Sequence, residues 1–193
     1  MTIKKLIISS LTAIMALTAA IPANAASGEG HTVKEGESLY KIGTKYGVSV
    51  VDIKKANGRE NHHINPGEQL TIPVTVTDAE KDVLARLVEA EAKGESYGGK
   101  VAVAAVVLNR VDSKEFPDTI KDVIYDGYQF SPVLNGTISQ PASEESKQAV
   151  REAIAHHGLG SGSLYFFNPD KADNAFLNQR EVTTIIGNHV FAR

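Results

Sequence analysis

The sequence predicts an α+β protein in two unequal parts: a small strand, helix, helix, strand module, then a larger α-rich unit with a small β-sheet. Three observations predict it. Four short elements between His31 and Pro73 are separated by glycines and by the pairs Asn57-Gly58 and Pro66-Gly67. From Thr77 onward, apolar residues recur at the helical spacing behind Ser, Thr or Asp caps. After Leu164 the apolar runs shorten to strand length and flank Gly187-Asn188. A chain of 193 residues has room for one ordinary domain and a small module.

Hydrophobic residues make up 42% and charged residues 22%, the balance of a globular chain. Twenty basic against 23 acidic side chains leave a formal charge of -3, which gives no basic field for nucleic acid as a main partner. The chain has no cysteine, which excludes a thiol nucleophile, a Cys-ligated metal site and any disulfide framework. Lys4 and Lys5, the apolar run Leu6 to Ile21, and the small residues Ala23 and Ala25 form a secretory signal peptide over residues 1–25. Its removal after Ala25 deletes two lysines and takes the net charge from -3 to -5. The expectation is an exported chain with no membrane contact once the signal is cleaved. The run Val101 to Leu108 is too short to span a bilayer.

In the module, Thr32-Val33 reads as a brief strand ended by Glu35-Gly36. Ser38 caps a helix that carries Leu39, Ile42 and Tyr46 on one face and stops at Gly47. Ser49 caps a second helix with Val50 or Val51 and Ile53, ending at Asn57-Gly58, and Pro66-Gly67 turns into a strand from Gln69 to Pro73. The V-K-E-G-E-S-L start, the Y-G-V-S-V middle and the N-P-G-E-Q-L-T-I-P end resemble a LysM domain over residues 31–73. The resemblance implies binding of N-acetylglucosamine-containing glycans, chiefly peptidoglycan. His31 stands where that family usually has an aromatic residue, and Tyr40 where it often has Trp. Residues 26–77 carry six basic and six acidic side chains, so charge alone would not hold the module to a wall.

Residues 74–77 form a short linker, and 78–193 form the second domain. Thr77-Asp78-Ala79-Glu80 has the form of a capping box, so a helix begins there. Leu84, Leu87 and Val88 make its apolar face, and continuing that face reaches Glu91. Glu95 is one turn further, beyond Gly94, which ends the helix; Glu89 points elsewhere and reads as solvated. A carboxylate at the end of a buried face is either a structural acid paired with an Arg or a catalytic acid held protonated by a desolvated setting. The run Lys100 to Asn109 reads as a fully buried element, whose length and alanines favour a helix over a strand although periodicity does not decide, and it puts Glu91 beside a dry core, the setting that keeps a carboxyl group protonated near neutral pH.

Asp118 caps a helix with Ile120, Val123 and Ile124, and Ser143 caps another with Ala149, Val150, Ala153 and Ile154 that stops at Gly158, for three or four helices in all. Leu164 to Phe167 reads as a strand, and Val182 to Ile186 pairs with His189 to Ala192 across Gly187-Asn188. The stretches L-A-R-L-V-E-A-E-A-K-G-E-S-Y-G-G-K-V-A-V-A-A-V-V-L-N-R-V, F-P-D-T-I-K-D-V-I-Y, Q-F-S-P-V, Y-F-F-N-P and I-I-G-N-H-V-F resemble the SleB/CwlJ-type cell-wall hydrolases, the spore cortex-lytic enzyme family. The resemblance covers essentially all of 78–193 and implies a lysozyme-like catalytic domain acting on bacterial wall or spore cortex. It places the catalytic acid at Glu91, the first Glu of A-E-A-K-G-E, where the family motif is of the G-E-A-R-G-E type; Ala90 and Lys93 are the departures.

Aromatic and amide groups near turns suit sugar binding, since rings stack on pyranose faces and amides bond hydroxyl and acetamido groups. The resemblance makes its motif positions Gln129, Tyr165 and Asn168, with Glu95, the substrate-binding candidates. Taken one by one, each aromatic of Tyr128, Phe130, Tyr165, Phe166 and Phe167 reads more readily as core than as a sugar platform. His189 reads as a structural hydrogen-bonding residue and, by family context, as a further site candidate. The adjacent pairs His62-His63 and His156-His157 diverge on helix and strand alike, so no metal and no cofactor are expected. The combined expectation is a secreted, wall-associated enzyme, of the vegetative wall or of the spore cortex or coat. It cleaves peptidoglycan glycan strands as a lytic transglycosylase or muramidase. The alternatives are a non-catalytic peptidoglycan-binding protein and an amidase-type wall hydrolase.

Overall fold

The computed structural model describes residues 28–127, 129–170 and 175–193. The signal peptide expected over 1–25, and Tyr128, lie outside the described residues. The small module runs β1 (Glu29–Thr32), α1 (Leu39–Tyr46), α2 (Val50–Ala56) and β2 (Gln69–Ile72). The strands are antiparallel, with Glu29 opposite Ile72 and Thr32 opposite Gln69. The first strand therefore begins ahead of Thr32-Val33, where the sequence puts it, because four residues of β2 offer partners; Val33 still bonds to the Glu68 carbonyl. Both helices start where a serine frees them to: the hydroxyl of Ser38 accepts from the Lys41 amide and that of Ser49 from the Asp52 amide. Gly47 ends α1 at φ 63°, a left-handed conformation that a side chain would strain. Val33, Leu39, Ile42, Val50, Ile53 and Leu70 make the core. His31 is buried in a polar bridge, with Nδ1 3.0 Å from the Tyr46 hydroxyl and Nε2 2.7 Å from the Glu37 carboxylate.

The second domain is α-rich with a small sheet: α3 (Asp78–Glu91), α4 (Tyr97–Asp112), α5 (Ile120–Tyr125), α6 (Ser131–Leu134), α7 (Glu144–His156), β3 (Tyr165–Phe167), α8 (Ala175–Asn178), β4 (Val182–Ile186) and β5 (His189–Ala192). The sheet is antiparallel in the order β3-β5-β4. Thr77 closes a full capping box with Glu80 at the start of α3. The cap of α5 is Thr119 and not Asp118: the Thr119 hydroxyl accepts from the Asp122 amide at 3.0 Å and donates to its carboxylate at 2.7 Å, a reciprocal pair that the neighbouring Asp118 does not make. Two short helices, α6 and α8, exceed the three or four expected; α6 carries Pro132 in its first turn, where no amide is missed. α4 is buried on almost every side, and Leu84, Leu87 and Val88 of α3 pack beside its Val103, Val106 and Val107. Each such side chain withdrawn from water contributes about 2 kcal/mol.

The two parts are packed together. α1 lies on α7 so closely that a Cβ on Gly43 would come 3.3 Å from the Ala155 methyl and 2.6 Å from the Val48 carbonyl. Tyr40 packs against His156 with ring centroids 4.9 Å apart and the rings tilted by 59°, and Lys81 donates to the Tyr46 carbonyl at 3.1 Å.

Candidate active site

The apolar stripe of α3 ends on Glu91, the helix's last residue. Its carboxyl group is half-buried and lines a cleft of about 430 Å³. One wall of the cleft is the end of α3, with Arg86, Glu89, Ala90 and Lys93; the other is α6 and the turn after it, with Ser131, Asn135, Thr137 and Gln140. Burial pushes the Glu91 carboxyl above the ordinary carboxylate range, and a hydrogen bond from the Ser131 backbone N–H opposes the shift in part. The cleft thus presents one reluctant acid among hydroxyl, amide and cationic groups, with its mouth open to solvent.

Glu89 lines the same cleft and is not the solvated residue the sequence suggests. One of its oxygens accepts from the Ser143 hydroxyl and amide and from the Ser146 hydroxyl, the last at 2.6 Å. These bonds, led by those of the two hydroxyls, hold its carboxyl down at about 2.

None of the four substrate-binding candidates lines the Glu91 cleft. Gln129 and Tyr165 surround Arg110, a buried guanidinium that donates to Gln129 and to the Leu164 carbonyl, each at 2.7 Å, and lies 5.8 Å from the Tyr165 ring centre. Asn168 is buried and accepts from the Asp170 amide, which makes it the corner of a turn. Glu95 lies against the β4–β5 turn, where a Cβ on Gly187 would come 2.8 Å from its carboxylate; its other oxygen is 3.4 Å from Nδ1 of His189. The histidine pairs diverge as their adjacency requires: His156 meets Tyr40, while His157 faces Asp112 at 3.1 Å. Ser131, Asn135, Thr137 and Gln140 were not singled out from the sequence, although the concentration of hydroxyl and amide residues in S-P-V-L-N-G-T-I-S-Q was the available signal.

The model of the Cell Wall Hydrolase family matches residues 94–192, just over half of the chain. The chain belongs to the cell wall hydrolase family. A LysM domain model matches residues 31–73 of this cell wall hydrolase. The spore cortex-lytic enzyme of Halalkalibacterium halodurans is 34% identical over 138 residues, 72% of this chain and 42% of the relative. The cell wall hydrolase CwlJ of Bacillus subtilis is 32% identical over 102 residues, 50% of this chain and 72% of the relative. The catalytic domain of the germination-specific lytic transglycosylase SleB from Bacillus anthracis superposes with a TM-score of 0.59 at 38% identity, over 63% of this chain and all of that domain. The hydrolase therefore spans under half the length of the spore cortex-lytic relative. The family match begins at Gly94, so Glu91 and the rest of α3 precede it.

Proposed function

We propose that this cell wall hydrolase is an exported enzyme that cleaves the glycan strand of peptidoglycan, with Glu91 as its acid and base and the LysM module (31–73) holding the second domain (78–193) to the polymer. One observation carries the reading: Glu91 is half-buried, its carboxyl is pushed up by burial, and it opens into a cleft lined by Ser131, Asn135, Thr137 and Gln140, groups suited to sugar hydroxyls and acetamides. The names of the relatives, spore cortex-lytic enzymes among them, support peptidoglycan of the wall or of the spore cortex as the polymer.

In this mechanism protonated Glu91 gives its proton to the bridging oxygen as the glycosidic bond breaks. The 6-hydroxyl of the same muramyl sugar attacks the anomeric carbon, and the Glu91 carboxylate takes the proton of that hydroxyl. A 1,6-anhydro ring forms, no water is consumed, and the acid is regenerated. A second reading is hydrolysis with Glu89 as the ionised partner, favoured by its place in the same cleft. Against it, residues two apart on a helix do not converge, and Glu89 is already spent on Ser143 and Ser146.

Mass spectrometry of fragments released from purified walls decides between them. The anhydro product is lighter by one water than the reducing-end product. Fragments with intact glycan but severed peptides would reveal an amidase, and no release at all a binding protein.

A further inference from the structure

We propose that the cleft between the two modules is a second binding site, one that takes the carboxylates of peptidoglycan stem peptides. The inference rests on the reading that the chain works on peptidoglycan and adds a site away from Glu91. The cleft measures about 270 Å³ and is formed by α1, α3 and α7, so it exists only while the modules are docked. Lys45, Lys81, Lys147 and Arg151 line it, against Asp78 and Asp82. Four cations gather there although the chain as a whole carries a charge of -3.

Carboxylates pair with only two of the four. Asp82 is committed to Arg86, outside the cleft. Asp78 pairs with Lys81 at 3.4 Å, and Lys147 with Glu144 at 2.7 Å. Among the described residues, Lys45 and Arg151 have no carboxylate partner within 4.0 Å. The Lys45 ammonium lies 4.9 Å from the Tyr46 ring centre, and Arg151 donates through Nε and Nη2 to the neutral Gln148 side chain. Lys81 and Arg151 both reach over Gly47, where a Cβ would be 2.8 Å from the Lys81 Cε and 3.4 Å from the Arg151 Cγ. The Lys81 ammonium end and the aliphatic stem of Arg151 thus lie against the glycine that ends α1.

Crowded cations held by the fold favour an anion between them, and a guanidinium beside an ammonium matches a carboxylate in both shape and charge. On a peptidoglycan strand the sugars are neutral apart from what they carry, and the stem peptides supply the carboxylates. A strand read by both modules offers these groups to a cleft that both modules build.

The test is calorimetric binding to the mature chain carrying Glu91→Gln, so that no turnover is needed and failure of the catalytic assignment does not blur the result. The probes are a soluble muropeptide with free peptide carboxylates and the same glycan stripped of its peptides. Lys45→Gln with Arg151→Gln should weaken muropeptide binding about tenfold, with the stripped glycan and the melting temperature unchanged. Arg151→Lys should retain part of the affinity. Equal muropeptide affinity in parent and variant overturns the site, as does equal loss for both probes. Tighter binding of polyglycerol phosphate than of the muropeptide overturns the assignment to stem peptides. Failure of the parent to bind stripped glycan counts against the LysM reading alone.

Discussion

Glu89 and Glu91, two residues apart at the end of α3, line one cleft and are driven in opposite directions: three hydrogen bonds hold Glu89 at about 2, while burial raises Glu91. Separating two like groups in this way gives one cleft a carboxyl that resists ionisation and a carboxylate held ionised, from the same residue type. Had Glu91 shared the serines, their hydrogen bonds would lower its value as they lower that of Glu89. The division is made by α7, whose N-terminal Ser143 and Ser146 reach Glu89 and leave Glu91 to the apolar side.

Glu91→Gln should fold normally and lose activity by a factor of about 100 or more in kcat, since it removes the proton donor while keeping shape. In the parent, activity should persist above the usual carboxylate range and fall as pH rises through the elevated Glu91 value, because the acid must enter the reaction protonated. A dye-release assay on purified walls across pH measures both. A variant that keeps a tenth of parental activity sinks the assignment.

The same substitution should stabilise the protein. A carboxyl whose value is raised in the folded state contributes stability at low pH that is lost as pH rises through that folded value. At pH 7, above the unfolded value near 4.5, the unfolded chain ionises this carboxyl freely while the native state resists its ionisation, a penalty that Gln removes. The melting temperature of Glu91→Gln should exceed that of the parent at pH 7, and the gap should close on acidification. A lower Tm at pH 7 would mean that the carboxylate is a structural partner after all.

Glu89→Ala should behave in the reverse sense. Its lowered value means that its contribution is complete above the unfolded value near 4.5 and is lost as pH falls toward 2. Because the side chain is partly open to solvent, the loss at pH 7 is about 1–2 kcal/mol, less than the shift alone would give. Thermal melts at pH 7 and pH 3 should show a large difference between parent and variant at the first and a small one at the second.

The position of Glu91 was legible because helical periodicity is local: Leu84, Leu87 and Val88 fix the stripe and the acid follows from it. The environment of Glu89 was not, because its partners lie 54 and 57 residues away on another helix. The opposite wall was hidden for a different reason: Ser131-Pro132 and Asn135-Gly136 are turn signals, yet Pro132 also fits the first turn of a four-residue helix, and only packing decides. Arg110 directly follows the nearly all-apolar run Lys100 to Asn109, and the cage of Phe116, Phe130 and Tyr165 around it left no mark that periodicity could detect. The paired strands β4 and β5 were legible since two apolar runs flank a Gly-Asn turn, while the bulge between Val182 and Thr184 that shifts their register left no such signal.

Glu95 separates a local motif from a working site. It belongs to the same A-E-A-K-G-E stretch as Glu91, yet it lies past the turn at Gly94, where φ is 86°, and outside the cleft. Its side chain is 13% exposed, and the His189 it faces is 12% exposed. Phe166 covers the histidine edge-on at 5.7 Å, so the pair fastens the β4–β5 hairpin to the start of α4. Glu95→Gln keeps size and one hydrogen-bonding oxygen, and should lower activity by less than about tenfold with a drop in Tm of a few degrees. Glu95→Leu removes the carboxylate that faces His189 Nδ1, an atom with no hydrogen-bond partner among the described residues, and should cost more stability, about 1–3 kcal/mol, while still sparing kcat relative to Glu91→Gln. The decisive measurement is kcat on purified walls for the three variants side by side. If Glu95→Gln falls as far as Glu91→Gln while its melt matches the parent's, then Glu95 acts on the substrate, and the hairpin must move to admit it.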